Sequence, residues 1–168
     1  IKFKNIFGSS KATYDTLRHD NVETEGAYGW YGVSYWANTF NVSEQCSVKA
    51  IWWGRYAEDG TTRTDTLFVW NDSGGLPGTL TAAWTVNANT GGSAVIFRAE
   101  VDGPVVDGDF WIGTFSATGT TSGSVSYFLS DSAGGLYSYY SSDRSSWTNF
   151  YNNGDLIIRV EVKSISSA

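Results

Sequence analysis

The chain has a single cysteine, Cys46, so no disulfide can form within it and its stability has to come from packing. It also has one histidine, His19, in the polar stretch Asp15-Thr-Leu-Arg-His-Asp20. One His and one Cys cannot supply the three or four ligands of a structural zinc site. Nor do they furnish the oriented base that a Ser or Cys hydrolase needs. Basic residues are scarce: 11 Lys and Arg stand against 17 Asp and Glu, a formal charge of −6. None cluster more densely than Lys2 and Lys4, which excludes the basic stripe of a nucleic-acid partner. No apolar run approaches the roughly 20 residues of a membrane-spanning helix. The glycines lie in turns, without the lysine of a phosphate-binding loop. Glycosidases need only two carboxylates, but the strand acids Glu100 and Glu161 stand isolated and read as solvated face residues. The expectation is a protein that is not an enzyme and carries no cofactor.

What is present points to β structure. Eight Trp, ten Tyr and nine Phe fit pleated, half-buried surfaces, and 19 Gly fit the turns between them. At 168 residues the chain suits one domain, 1–168, with its own core. It opens at Ile1, without a leader or any methionine, and so reads as a mature secreted chain with an extracellular or cell-surface location. Apolar runs recur at 1–7, 30–36, 39–42, 46–56, 64–70, 80–86, 94–101, 110–115, 125–129, 137–141 and 156–165, each bounded by turn residues. In the last run Leu156, Ile158, Val160 and Val162 alternate with Arg159, Glu161 and Lys163, as in a half-buried antiparallel strand. The fold class expected is all-β, a two-sheet antiparallel jelly-roll-like sandwich of about ten strands. Residues 8–29 read as a polar N-terminal extension. The expected core comprises Phe68, Trp70, Phe110, Ile112, Leu156, Ile158, Val160 and Val162.

Three stretches carry a resemblance: Phe68-Val-Trp-Asn-Asp-Ser-Gly-Gly-Leu-Pro-Gly78, Asp107-Gly-Asp-Phe-Trp-Ile-Gly113 and Gly154-Asp-Leu-Ile-Ile-Arg-Val160. Together they resemble β-sandwich domains found near the C-termini of secreted bacterial proteins, over residues from about Trp30 to Val162. That resemblance implies a jelly-roll-like fold and an extracellular setting, and brings no catalytic residues with it. The motifs themselves read as structural. Gly74, Gly75 and Gly78 permit positive φ in the turn, and Pro77 fixes its own φ.

Aromatic rings in excess of a core's needs can stack on sugars, and the candidates are Trp30, Tyr31, Tyr35, Trp36, Trp52, Trp53, Tyr137, Tyr139 and Tyr140. Neighbours on a strand point to opposite faces, so one ring of each pair Tyr35/Trp36, Trp52/Trp53 and Tyr139/Tyr140 faces outward. An outward ring binds glycan, lies under a loop, or is buried by a neighbouring subunit. On the glycan reading, Trp36 or Trp53 is removable without loss of stability. Calcium would use Asp72, Asp107 and Asp109, although Asp is also an ordinary turn former. The opening 1–7 places Ile1, Phe3 and Phe7 opposite Lys2 and Lys4, a strand that completes its own sheet or adds to a neighbour's edge. The reading that follows is a non-enzymatic subunit of a homo-oligomeric surface or filamentous assembly. The alternative is a carbohydrate-binding module.

Overall fold

A computed structural model describes residues 13–20, 26–28, 35–57, 62–116, 126–131, 136–149 and 154–165. Among them are eleven strands and no helix: β1 (Tyr14–Leu17), β2 (Gly26–Tyr28), β3 (Tyr35–Ala57), β4 (Arg63–Asp72), β5 (Pro77–Ala88), β6 (Val95–Glu100), β7 (Val105–Ser116), β8 (Ser126–Ser130), β9 (Ser138–Ser141), β10 (Thr148–Asn149) and β11 (Ile158–Ser164). All pairings are antiparallel. The central path runs β1-β11-β3-β7-β4-β5. The chain is therefore all-β, and its pairing is compatible with a two-layer sandwich.

The 23-residue β3 organises everything else. Its first half pairs with β7 on one side and β9 on the other. Its second half pairs with β11, β6 and β8. The sequence reads this stretch as separate runs, because Asn38 and Ser43-Glu-Gln45 look like breaks. Both are absorbed. The ladder to β7 steps from Val42↔Gly108 to Cys46↔Val106, so that residues 43–45 form a bulge. Asn38 is fully buried and its polar atoms are engaged: Nδ2 donates to the Leu156 and Ile158 carbonyls at 2.9 and 3.3 Å, and Oδ1 accepts from the Ser138 hydroxyl at 2.7 Å. A satisfied polar side chain can remain in a strand interior that an unpaired one would break.

A second irregularity falls at Lys49, where Ala50 pairs with Glu161 but Val48 with Val162. The inward-facing set accordingly changes from Cys46 and Val48 to Ile51 and Trp53. These residues join Trp36, Phe40, Leu67, Val69, Phe110, Ile112 and the β11 residues Ile158, Val160 and Val162 in one core. Within it Trp53 Nε1 donates to Asp65 at 2.8 Å, and Arg55 lies 3.2 Å from the same carboxylate. Burial pulls the Arg55 guanidinium down to about 10, against the pull of Asp65, so it stays charged at neutral pH.

All eight residues expected in the core are buried, yet not in one body. Phe68 and Trp70 lie on the opposite face, packed with Ala37 and Trp111. The polar extension expected over 8–29 is also revised, because it contains β1 and β2. The first pairs with β11, from Tyr14↔Lys163 to Leu17↔Val160. In the Gly-Gly-Leu-Pro-Gly turn Gly74 and Gly75 have φ of +65° and +83°, while Gly78 is required for a different reason: a Cβ there would lie 2.7 Å from Ser73 Cβ.

Candidate functional site

The outward-facing aromatics separate into three settings. Residues Ile1, Phe3 and Phe7, with Trp30 and Tyr31, lie outside the described residues. Trp36 and Trp53 are 1% and 2% exposed, which removes them as surface rings. Their alternation was legible, but not which member of each pair faced inward; at Trp53 the Lys49 irregularity resets it. Tyr140 is partly buried against the same core, with its ring 5.9 Å from that of Trp36.

A second group forms the outer face of the β9-β3-β7-β4 ladder. Tyr35, Phe68, Trp70, Trp111, Phe115 and Tyr139 pack there, joined by Trp147 from the segment that follows β9. Trp147 meets Trp70 edge-on at 5.6 Å, and Arg144 lies 5.3 Å above the Tyr35 ring. Asp143 builds this segment by accepting the Ser145 and Ser146 N–H groups at 2.8 and 3.0 Å. Bonds from the Ser145 side chain and from these two backbone groups pull its carboxyl down to about 2. These rings are thus sheltered by the chain itself. Asp72 belongs here too: it accepts Trp111 Nε1 at 2.8 Å and the Gly75 N–H at 3.0 Å. Asp109 accepts from Asn41 at 2.7 Å, and Asp107 from Gln45 at 3.4 Å. Among the described residues no three His, Cys, Asp or Glu side chains gather as metal ligands.

The third setting is open. Tyr137 is 44% exposed and stacks on His19 at 3.9 Å, while Phe40 stacks with the imidazole at 4.9 Å. His19 Nε2 donates to the Thr39 carbonyl at 2.6 Å. The histidine is therefore a packed element and not the solvated loop residue that its polar neighbours suggest. Trp52, on the outward face of β3, is half-buried.

Around Trp52 the strands set out a polar constellation. Register places Arg98 of β6 directly opposite Trp52, and Ala50 has Glu100 of β6 on one side and Glu161 of β11 on the other. Arg98 donates from Nε and Nη2 to the two oxygens of Glu161 at 2.8 and 2.7 Å. Its guanidinium carbon also lies 5.6 Å above the Trp52 ring, whose Nε1 donates to Glu161 at 2.9 Å. The Arg98 bonds, with help from Trp52, hold the Glu161 carboxyl below its ordinary range, and the two glutamates raise Arg98. Glu161 is thus not the isolated carboxylate it looks like in sequence. Its partners lie on β3 and β6, and only the ladder register brings them together.

Beside this constellation runs a groove of about 250 Å³, lined by Tyr14, Lys49, Arg98, Glu100, Val101 and Glu161. Tyr14 is 65% exposed, with Lys163 Nζ 5.3 Å from its ring centre. The groove is smaller than the ~300–1,000 Å³ typical of drug-sized ligand pockets and suits a single ring or a short chain laid across the sheet. It offers an exposed aromatic ring, fixed acceptors and fixed donors. Those are groups that grip a molecule with apolar faces and a hydroxylated edge. Two other grooves differ in kind. The one beside the β3 bulge, about 180 Å³ and lined in part by Asp15, Glu44 and Cys46, has no aromatic ring. Burial, assisted by Glu44, Asp15 and Asp107, pushes the Cys46 thiol up, and the side chain is packed in the core. The one at His19 and Phe40 offers ring edges already stacked on one another.

No family model and no curated protein sequence matches the chain. Among solved structures, it is similar to the cysteine protease and lectin-like domains of Cwp84, a surface layer associated protein of Clostridium difficile, at 12% identity and a TM-score of 0.52. That likeness covers 80% of this chain and 33% of the other. A second structure, a variant of the clostridial cysteine protease Cwp84 after propeptide cleavage, gives 11% identity and a TM-score of 0.57, covering 92% of this chain and 40% of that one. The chain thus spans about a third to two-fifths of the proteins it is similar to, and at these identities the likeness shows the fold alone.

Proposed function

We propose that this chain is a non-enzymatic, extracellular surface-associated β module that binds carbohydrate through the outward face of β1, β11, β3 and β6. The observation that carries the reading is the Arg98, Glu161 and Trp52 constellation beside the exposed Tyr14 ring. Arg98 and Glu161 hold each other in one geometry before any ligand arrives, so little side-chain entropy remains to be lost on binding. The groove then offers Tyr14 for stacking, Lys49 and Arg98 as donors, and Glu100 as an acceptor whose side chain is 83% exposed. Cwp84 supplies a precedent for the setting: it is surface layer associated and has a lectin-like domain beside its protease.

Retention on immobilised polysaccharides tests this reading. The expected result is binding to at least one cell-surface or cell-wall glycan, abolished by Tyr14→Ala and by Arg98→Ala, with the melting temperature of the Tyr14 variant unchanged. Failure of the unmodified protein to bind any glycan across a broad panel overturns it. Participation in a surface assembly is a second reading, favoured by a separate observation on β5.

A further inference from the structure

Sheet edges invite pairing with other chains, and soluble proteins usually blunt them with charge, proline, bulges or brevity. Three strands of this fold have only one ladder partner among the described residues and more than three residues to offer: β1, β6 and β5. The first is only four residues long and carries Asp15, and the second carries Arg98 and Glu100. The third, Pro-Gly-Thr-Leu-Thr-Ala-Ala-Trp-Thr-Val-Asn-Ala over 77–88, is twelve residues long and has no charged side chain. Its one proline stands at the first position, and its ladder irregularities are confined to the end near Trp70 and Asp72. From Ala82 to Ala88 the ladder is regular, and among the described residues nothing pairs with the other side of the strand.

From this edge we infer a docking surface for a second copy of the same chain, with the two β5 strands antiparallel about a two-fold axis and the contact centred on residues 82–86. Two further features select that occupant. The core-facing side chains of β5, Ala82, Trp84 and Val86, are only partly buried, because β5 ends the sheet and nothing described continues the layer beyond it. A second β5 continues the layer with the same three residues and joins the two cores. On the other face Thr81, Ala83, Thr85 and Asn87 are exposed and small, so two copies approach without steric conflict. Charge also matters: each chain carries −6, and β5 is the long edge on which two such chains meet without like charges opposed. A contact of this kind uses the same patch on both partners and closes on itself, giving a dimer and not a filament.

Sedimentation equilibrium on the full chain tests the inference, independently of any glycan result. The unmodified protein is expected to show twice its 18.3 kDa mass. The variant Ala83→Lys/Thr85→Lys is expected to be monomeric, as is Ala83→Glu/Thr85→Glu. Both should keep the β-type circular dichroism of the parent, because both positions are exposed. Mixing the two variants in equal amounts restores the dimer, since opposite charges now face each other across the pairing. A parent that stays monomeric at the highest attainable concentration overturns the inference. So does a Lys variant that remains associated, which points instead to a contact made by residues 1–7, or a mixture that fails to re-associate.

Discussion

Arg159 and Asp20 stand 139 residues apart and meet in a two-pronged ion pair, Nε to Oδ2 at 2.8 Å and Nη2 to Oδ1 at 2.6 Å. The Asp20 side chain is fully buried and that of Arg159 is 11% exposed. The pair therefore fastens the segment after β1 to β11, which Tyr14–Leu17 already flanks as a strand. Asp20→Ala leaves a guanidinium without this partner in a nearly dry place and is expected to cost about 3–5 kcal/mol in urea denaturation. The double variant Asp20→Ala/Arg159→Met should lose less than the sum of the two single changes. A single-variant loss under about 1 kcal/mol contradicts the idea that this pair closes the fold.

That pair also marks where sequence stops being informative. The β11 pattern is readable because its apolar residues alternate with period two and one face is core. The same period on β7 put Phe110 and Ile112 in the core beside Ile158. β1 offered no such signal: Tyr14, Asp15 and Thr16 are all exposed, and the segment is held by its ladder to β11, by Leu17, by the packed His19 and by the ion pair, none of which the sequence pattern displays. The candidate site was half legible in the same way. Trp52 declared itself by its adjacency to Trp53, whereas Arg98 and Glu161 lie 46 and 109 residues further on and meet it only through register. Period-two reading assigns faces within a strand and says nothing of which strands are neighbours.

The two adjacent tryptophans should respond oppositely to truncation. Trp53→Ala removes a buried ring and the N–H that Asp65 accepts, so about 3–5 kcal/mol is expected from the cavity, with a further penalty at the carboxylate. Trp52→Ala removes a half-exposed ring from the outer face and should shift thermal unfolding far less, while loosening Arg98 and Glu161. Equal destabilisation by the two substitutions would show that the irregularity at Lys49 is misplaced.

Acid should dismantle the polar constellation before it unfolds the core. Because Arg98 and Trp52 hold Glu161 below its usual range, the folded state favours the ionised form. The resulting stabilisation is fully present above the unfolded value of about 4.3 and disappears as pH falls through the lower folded value. Glycan retention is therefore expected to stay flat as pH falls to the ordinary glutamate range and to be lost only below it. Carbonyl NMR of Glu161 should give a midpoint under the free-glutamate value, and Arg98→Ala should move it upward. No movement in that variant rules out Arg98 as the dominant partner.

Gly113 lies on β7, with β3 on one side and β4 on the other, where the strand passes beneath Trp70. A Cβ at that position would fall 2.5 Å from both the Trp36 carbonyl oxygen and Trp70 Cζ3. The carbonyl belongs to a ladder strand and has little room to move. Trp70 is wedged between Phe68, stacked at 4.9 Å, and Trp147, edge-on at 5.6 Å. Gly113→Ala is accordingly expected to destabilise by at least about 1–3 kcal/mol, the usual range for overpacking, and to change the near-ultraviolet dichroism of the tryptophan cluster. Trimming the ring with Trp70→Leu in the same protein relieves one of the two clashes but not the backbone one, so only part of the loss should return. A Gly113→Ala protein as stable as the parent would mean that β7 and Trp70 do not approach as closely as described.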